Sequence, residues 1–175
     1  MDYLPSLPSS EICLSCRGCC IFLTADSPWI PYFRKEEIQQ AIAAGLSQDA
    51  FPSRQGSRII SVPLGDAVRC PALDPDTHHC MIYNARPLDC FIYPFILMWD
   101  TAQKVIYLAL HEACPFVFTQ TSLPVELLGR ANDLTQMLQS PDMITSICAN
   151  KDMIMATQPD TILIAPLDRL TAAWN

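Results

Sequence analysis

The chain has 175 residues, half of them apolar, with mean hydropathy +0.19, a formal charge of −7 and pI near 4.7. That length and apolar content exclude an intrinsically disordered protein and suit one domain with a real core. The acidic balance, with no run of Lys or Arg, argues against nucleic acid as a partner, because phosphate backbones are repelled by a surface of this sign.

Residues 1–12 carry two prolines and three serines and read as a loose arm. Cys13, Cys16, Cys19 and Cys20 follow as a CxxCxxCC knot, with Gly18 expected to allow a tight turn between Cys16 and Cys19. A two-residue gap lets both sulfurs of a CxxC turn face one ion, while backbone N–H groups hydrogen-bond to the thiolates. Residues 21–23 read as a short strand leaving the knot. Residues 34–44 read as a helix: Ile38 and Ile42 lie four apart, Glu36 and Glu37 suit the first turn, and Gly45 suits the stop. Residues 52–57 read as a loop, and 58–62 as a strand ending at Pro63.

A second cysteine group begins at Cys70 and continues through Cys80, Cys90 and Cys114. Between Cys70 and Cys80 lies turn chemistry without an apolar period. Residues 91–99 and 104–110 read as a β-hairpin. Ser122, Leu123 and Pro124 open the longest helix, running to about residue 139, with Leu127, Leu128, Leu134 and Leu138 on its apolar face. A further helix runs from Ser140, Pro141 and Asp142 to about Cys148. A last strand at 161–164 and a short helix at 166–174 complete the chain. The expected class is α+β: one small domain with a loop-rich cysteine half (13–115), a short β-hairpin, and C-terminal helices (116–175) packing on it. The helices are expected to carry none of the eight clustered cysteines.

The nine cysteines make up about 5% of the chain, below the roughly 8–10% of a disulfide scaffold. The opening residues have neither a basic nor an apolar leader segment, so the expected compartment is the cytoplasm. The longest apolar stretch, 90–99, is shorter than the ~20 residues needed to span a bilayer, so no membrane association is expected. In that setting clustered cysteines read as metal ligands before disulfides. Adjacent side chains diverge, so Cys19 and Cys20 are not expected to share one ion. One of them joins Cys13 and Cys16, and the fourth ligand comes from Cys70, Cys80, Cys90 or Cys114. Eight thiols suit two four-coordinate centres, either iron–sulfur or Cys₄ zinc, and spacing does not divide them.

Cysteines in this order, with Cys70-Pro71, Arg86-Pro87-x-x-Cys90 and Tyr93-Pro94-Phe95, resemble the family of zinc- or iron-chelating domains named for the CxxCxxCC motif. The resemblance runs from Cys13 to Cys114. A related cysteine motif occurs in flagellin lysine methylases, where an iron–sulfur cluster is implicated. The resemblance therefore tips the cofactor toward an iron–sulfur cluster over Zn2+. It also keeps open an iron–sulfur-dependent group-modifying enzyme beside a structural or redox metal protein. A thiol redox sensor or metal chaperone is a third reading, which requires an exposed cysteine of lowered pKa.

Other residues carry less. Arg86 reads as a turn residue or as a guanidinium near the centre, donating to sulfur or to an anion. Tyr93 and Phe95 read as core around the cluster. His78 and His79 precede Cys80, and either could complete a Cys₃His site, although loop histidines are ordinarily solvated. His111-Glu112 opens like a zincin motif, but Pro115 stands where the second histidine belongs. Cys148 reads as an ordinary helix thiol.

Overall fold

The computed structural model describes Cys16, residues 18–118 and residues 125–175. The expectations for the N-terminal arm, for Cys13 and for the opening of the longest helix at 122–124 lie outside the described residues. The chain forms two compact units, one ending at Phe91 and one beginning at Ile92. Helices and strands are mixed in both, and the class is α+β.

In the first unit, β1 (Ile21–Phe22), β5 (Ala67–Arg69) and β4 (Val62–Leu64) form an antiparallel sheet in the order β1-β5-β4. β2 (Tyr32–Arg34) pairs with β3 (Gly56–Arg58) in a separate ribbon and leads directly into α1 (Lys35–Ala43). Glu36 and Glu37 occupy the first turn of α1, and Gly45 ends it at φ 109°, a left-handed position that favours glycine. Ile38 and Ala41 are buried on the inner face of α1, with Ile42 packed against the same core. The expected strand at 58–62 is instead divided between the two sheets, and β3 begins inside the stretch expected to be loop. Pro63 lies within β4 rather than ending it; β4 is an edge strand, where a missing N–H is tolerated.

The core of this unit gathers Phe22, Ile30, Phe33, Ile38, Leu46, Phe51, Ile59 and Ile82. Phe33 and Phe51 meet edge to face, with ring centroids 5.2 Å apart. Cys70 belongs to this core, and Cys20 and Cys80 pack against it. α2 (Leu88–Ile92) follows, and the first unit ends at Phe91 within its last turn.

In the second unit, β6 (Phe95–Asp100) and β7 (Val105–His111) form the expected hairpin, with Phe95 opposite Leu110 and Asp100 opposite Val105. Asp100 shapes its turn by accepting hydrogen bonds from the backbone of Ala102 and Gln103. The first strand starts at Phe95 and not at Phe91, because Phe91 and Ile92 belong to α2; the Tyr93–Pro94 peptide between helix and strand is cis. The sheet order is β8-β6-β7-β9, with β8 (Met155–Ala156) parallel to β6 and β9 (Thr161–Pro166) antiparallel to β7.

After a short α3 (Pro115–Phe118), α4 (Val125–Leu138) buries Leu127, Ala131, Leu134 and Leu138. Leu128 is 51% exposed; one residue on from Leu127, it is rotated by about 100° off the buried stripe. α5 (Pro141–Cys148) starts with Ser140 at its cap and Pro141 at its first position, as expected, and α6 (Asp168–Trp174) ends the chain. Among the described residues no helix is long and apolar enough to cross a membrane.

Candidate metal centre

The knot ends in a 3-10 turn, Gly18–Cys20, which feeds straight into β1. The Gly18 N–H donates to Cys16 Sγ at 3.5 Å, the N–H to sulfur contact expected of such a turn. A Cβ at Gly18 would sit 3.6 Å from Cys16 Sγ, an ordinary contact.

Pairing of β1 with β5 sets Ile21 opposite Arg69, and the Cys70 N–H donates to the Cys20 carbonyl at 2.8 Å. The knot and the second cysteine group are thus joined through backbone. From Cys70 the chain folds back on itself. Leu73 bridges Cys80, Met81 N–H donates to the Ala72 carbonyl at 2.8 Å, and Asp74 caps the loop through the N–H groups of Asp76 and Thr77. Arg69 reaches along this turn and donates to the carbonyls of Cys70 and Leu73. A 3-10 turn at Tyr83–Ala85 then carries the chain to Arg86, Pro87 and α2, where Cys90 sits. Helices were expected to carry none of the clustered cysteines. Cys90 on α2 corrects this: Leu88–Ile92 coils, taking in Cys90 and the first two residues, Phe91 and Ile92, of the expected strand.

Cys16, Cys19, Cys20, Cys70, Cys80, Cys90 and Cys148 are free thiols. Cys19 and Cys20 sulfurs approach to 4.0 Å, close to the ~3.8 Å edge of a tetrahedron with Zn–S bonds of ~2.3 Å. The expected divergence of these neighbours fails, since rotation about each Cα–Cβ bond can swing two adjacent thiols to the same side. Contact with Cys20 lowers the Cys19 thiol, with help from the Arg86 charge and against partial desolvation by the surrounding atoms, although the residue as a whole is exposed. The same contact, followed by burial, raises Cys20. Burial pushes Cys70 up to about 12, and the charges of Cys80 and Cys19 add to this. Burial also raises Cys80, opposed by the Ile82 N–H and Arg86. Cys90 is raised well above the usual thiol range, by burial first and then by Cys70, Cys19, Asp89 and Cys80.

Cysteines from the knot, from the 70–80 fold-back and from α2 therefore lie within one another's electric field. Among the described residues no group of three or more Cys, His, Asp or Glu side chains is gathered tightly enough to hold a metal ion as it stands. The chemistry of the donor set nonetheless fits zinc or iron. The donors are soft thiols, and a cation that deprotonates coordinating thiols would offset the mutual repulsion of the thiolates.

Arg86 donates Nε–H to the Tyr83 carbonyl at 2.9 Å and lies over the Tyr83 ring at 3.6 Å; its charge helps lower the Cys19 thiol and offsets part of the rise at Cys80. His79 is exposed and its carbonyl accepts from Asp74, while His78 adopts φ 61° in the same loop. Cys114 and His111 belong to the second unit. Cys114 is buried there, with its N–H directed at the His111 carbonyl at 3.4 Å. His111 is no zinc-site remnant: Nε2 pairs with Asp160 at 3.0 Å and Nδ1 shares a 3.2 Å hydrogen bond with Tyr93 Oη. Phe95 is buried in the same unit. Cys148 is partly buried at the end of α5.

Sequence reasoning missed the supports of α2. Glu37 is buried and accepts from the Leu88 N–H at 2.8 Å, while Asp89 accepts from the Tyr32 N–H at 2.8 Å. A signal was present for Glu37, which lies four residues before Ala41 on the buried face of α1.

A family model for the CxxCxxCC domain, described as a putative zinc- or iron-chelating domain, matches residues 12–115, more than half of the chain. The chain belongs to the CxxCxxCC family. The match takes in both cysteine groups and ends just after Cys114, and it assigns zinc or iron chelation to this stretch. No curated protein and no solved structure matches the chain.

Proposed function

We propose that this CxxCxxCC domain holds an iron–sulfur cluster on thiolates of the knot and of the mid-chain group, with a structural or electron-carrying role. One observation carries the reading: the 2.8 Å bond from Cys70 N–H to the Cys20 carbonyl, within the β1–β5 pairing, brings the two groups together. Cys13, Cys16, Cys19, Cys20, Cys70, Cys80 and Cys90 are the proposed ligands. Cys114 completes the sequence-derived set, and Cys114→Ser is its check. When bound, the cluster supplies charge compensation to the thiolates and a one-electron couple. The chain's own part is to keep the donors on short, hydrogen-bonded turns and to place Arg86 beside Cys19 and Cys80.

Purification without oxygen, followed by assay of iron, acid-labile sulfide and zinc, tests the reading. Brown protein with iron and sulfide in comparable amounts supports it. Colourless protein with stoichiometric zinc replaces it with a structural Cys₄ site, and protein that takes up neither metal overturns it.

A second reading has one observation in its favour. Cys19 is exposed, and both Cys20 and Arg86 lower its thiol, the environment of a reactive cysteine. A redox sensor or metal chaperone would use Cys19 as its contact point. Preferential alkylation of Cys19 in metal-bound protein favours that role, whereas protection of Cys19 until metal is removed favours a closed centre.

A further inference from the structure

α2 is short, five residues, and cannot hold its own geometry through propagation of helical hydrogen bonds. Its place in the first unit is fixed by two carboxylates that cross between elements in opposite directions. Glu37, from the first turn of α1, accepts from the backbone N–H of Leu88, the first residue of α2, at 2.8 Å. Asp89, from α2, accepts from the backbone N–H of Tyr32 on β2 at 2.8 Å. Glu37 is 5% exposed and is itself oriented by Arg34, whose N–H donates to Oε2 at 2.8 Å and whose guanidinium pairs with Oε1. Arg58 adds a second positive charge in the field of Asp89 and is tied to the Ile30 carbonyl. The residue after Asp89 is Cys90.

We propose that Glu37 is a positioning residue of the metal centre, and that the reciprocal Glu37–Leu88 and Asp89–Tyr32 hydrogen bonds aim the Cys90 thiol at the other cysteines. A buried carboxylate is expensive to retain for packing alone, since an apolar side chain of similar size would fill the space without desolvating a charge. What a carboxylate adds is a directional acceptor at one defined backbone N–H. Cys90 follows two residues after that N–H, so a shift at Leu88 is passed to the thiol within a single helical turn. The inference rests on Cys90 being a ligand, as proposed above.

The test uses the full chain with Glu37→Gln, Glu37→Ala and Cys90→Ser. Glu37→Gln keeps an acceptor oxygen for Leu88 N–H, whereas Glu37→Ala removes it. Two quantities are read: release of bound zinc or iron to a chromophoric chelator, and alkylation of each thiol in metal-free protein, followed by mass spectrometry. Loss of an outer support of a ligand is expected to weaken metal binding about 10- to 100-fold. Glu37→Ala should therefore speed metal release by about that factor and raise Cys90 alkylation selectively, with Cys70 little changed. Glu37→Gln should recover most of both. Equal acceleration at Cys70, Cys80 and Cys90 would make Glu37 an ordinary stabilising residue and overturn the proposal. Unchanged release and alkylation in Glu37→Ala would overturn it as well. Full metal content in Cys90→Ser would instead remove Cys90 from the ligand set, a failure of the underlying function reading that the Glu37 variants cannot mimic.

Discussion

Phe33→Ala separates what the core contributes from what the metal contributes. Phe33 is 1% exposed and meets Phe51 edge to face at 5.2 Å. An aromatic side chain buries about 150–250 Å², and its truncation in a core costs about 3–5 kcal/mol. Of that, about 0.5–1.5 kcal/mol belongs to the ring pair with Phe51 and should appear as coupling in a Phe33/Phe51 double-mutant cycle. Phe33→Leu keeps most of the volume and guards against complete loss of the fold. The assay is urea unfolding of metal-free protein, repeated with free Zn2+ buffered at about one hundred times its dissociation constant. Binding to the folded state alone adds about 2.7 kcal/mol under those conditions. Phe33 lies in the core and offers no ligand, so its variants should lose metal-free stability yet keep the full Zn2+ increment. Cys70→Ala should do the reverse: about 1 kcal/mol lost without metal, one methylene's worth of burial, and most of the increment gone. A Phe33→Ala cost below about 1 kcal/mol, or an intact increment in Cys70→Ala, would refute the reasoning.

Further outcomes are expected. Cys148→Ala should leave metal stoichiometry unchanged while Cys80→Ser lowers it; equal loss would make Cys148 part of the site. On chelation, hydrogen exchange should accelerate more across residues 18–91 than across 92–175, and uniform loss of protection along the chain would count against a centre housed in the first unit. Leu134→Ala, at a fully buried position of α4, should cost about 2–5 kcal/mol, while Leu128→Ala, 51% exposed, should stay within about 0.5 kcal/mol. Equal costs would mean that the buried face of α4 is not the one described.

Local chemistry was legible where it acts over a few residues. Gly45 marks the end of α1, Ser140 and Pro141 the start of α5, and two apolar runs parted by residues 100–103 the hairpin. The family and its metal chelation were legible from cysteine order, because ligand spacing is a local geometric requirement. The supports of the site were not. That β5 takes the place beside β1, or that Glu37 finds Leu88 across 51 residues, depends on tertiary packing, which period and propensity do not encode. Phe91 and Ile92 misled for a related reason: β-favouring side chains were recruited into α2, where tertiary context overrides propensity. The Cys19–Cys20 contact was missed because a rule about neighbouring side chains ignored rotation about Cα–Cβ.

β8 has a consequence for synthesis on the ribosome. It lies parallel to β6, with Met98 opposite Met155, and Thr157 donates to the Trp99 carbonyl at 3.2 Å. The sheet of the second unit therefore waits for residues made more than forty positions after its hairpin. Every backbone pairing described for the first unit, by contrast, closes within the first 91 residues. As the chain emerges N-terminus first, the cysteine-bearing unit has its partners in hand while both edges of the β6–β7 hairpin are still bare. Metal supply and the exposure of an unfinished strand edge thus fall at successive moments of translation, so a shortage of metal and a truncation near residue 150 should leave different halves of the protein open to proteolysis.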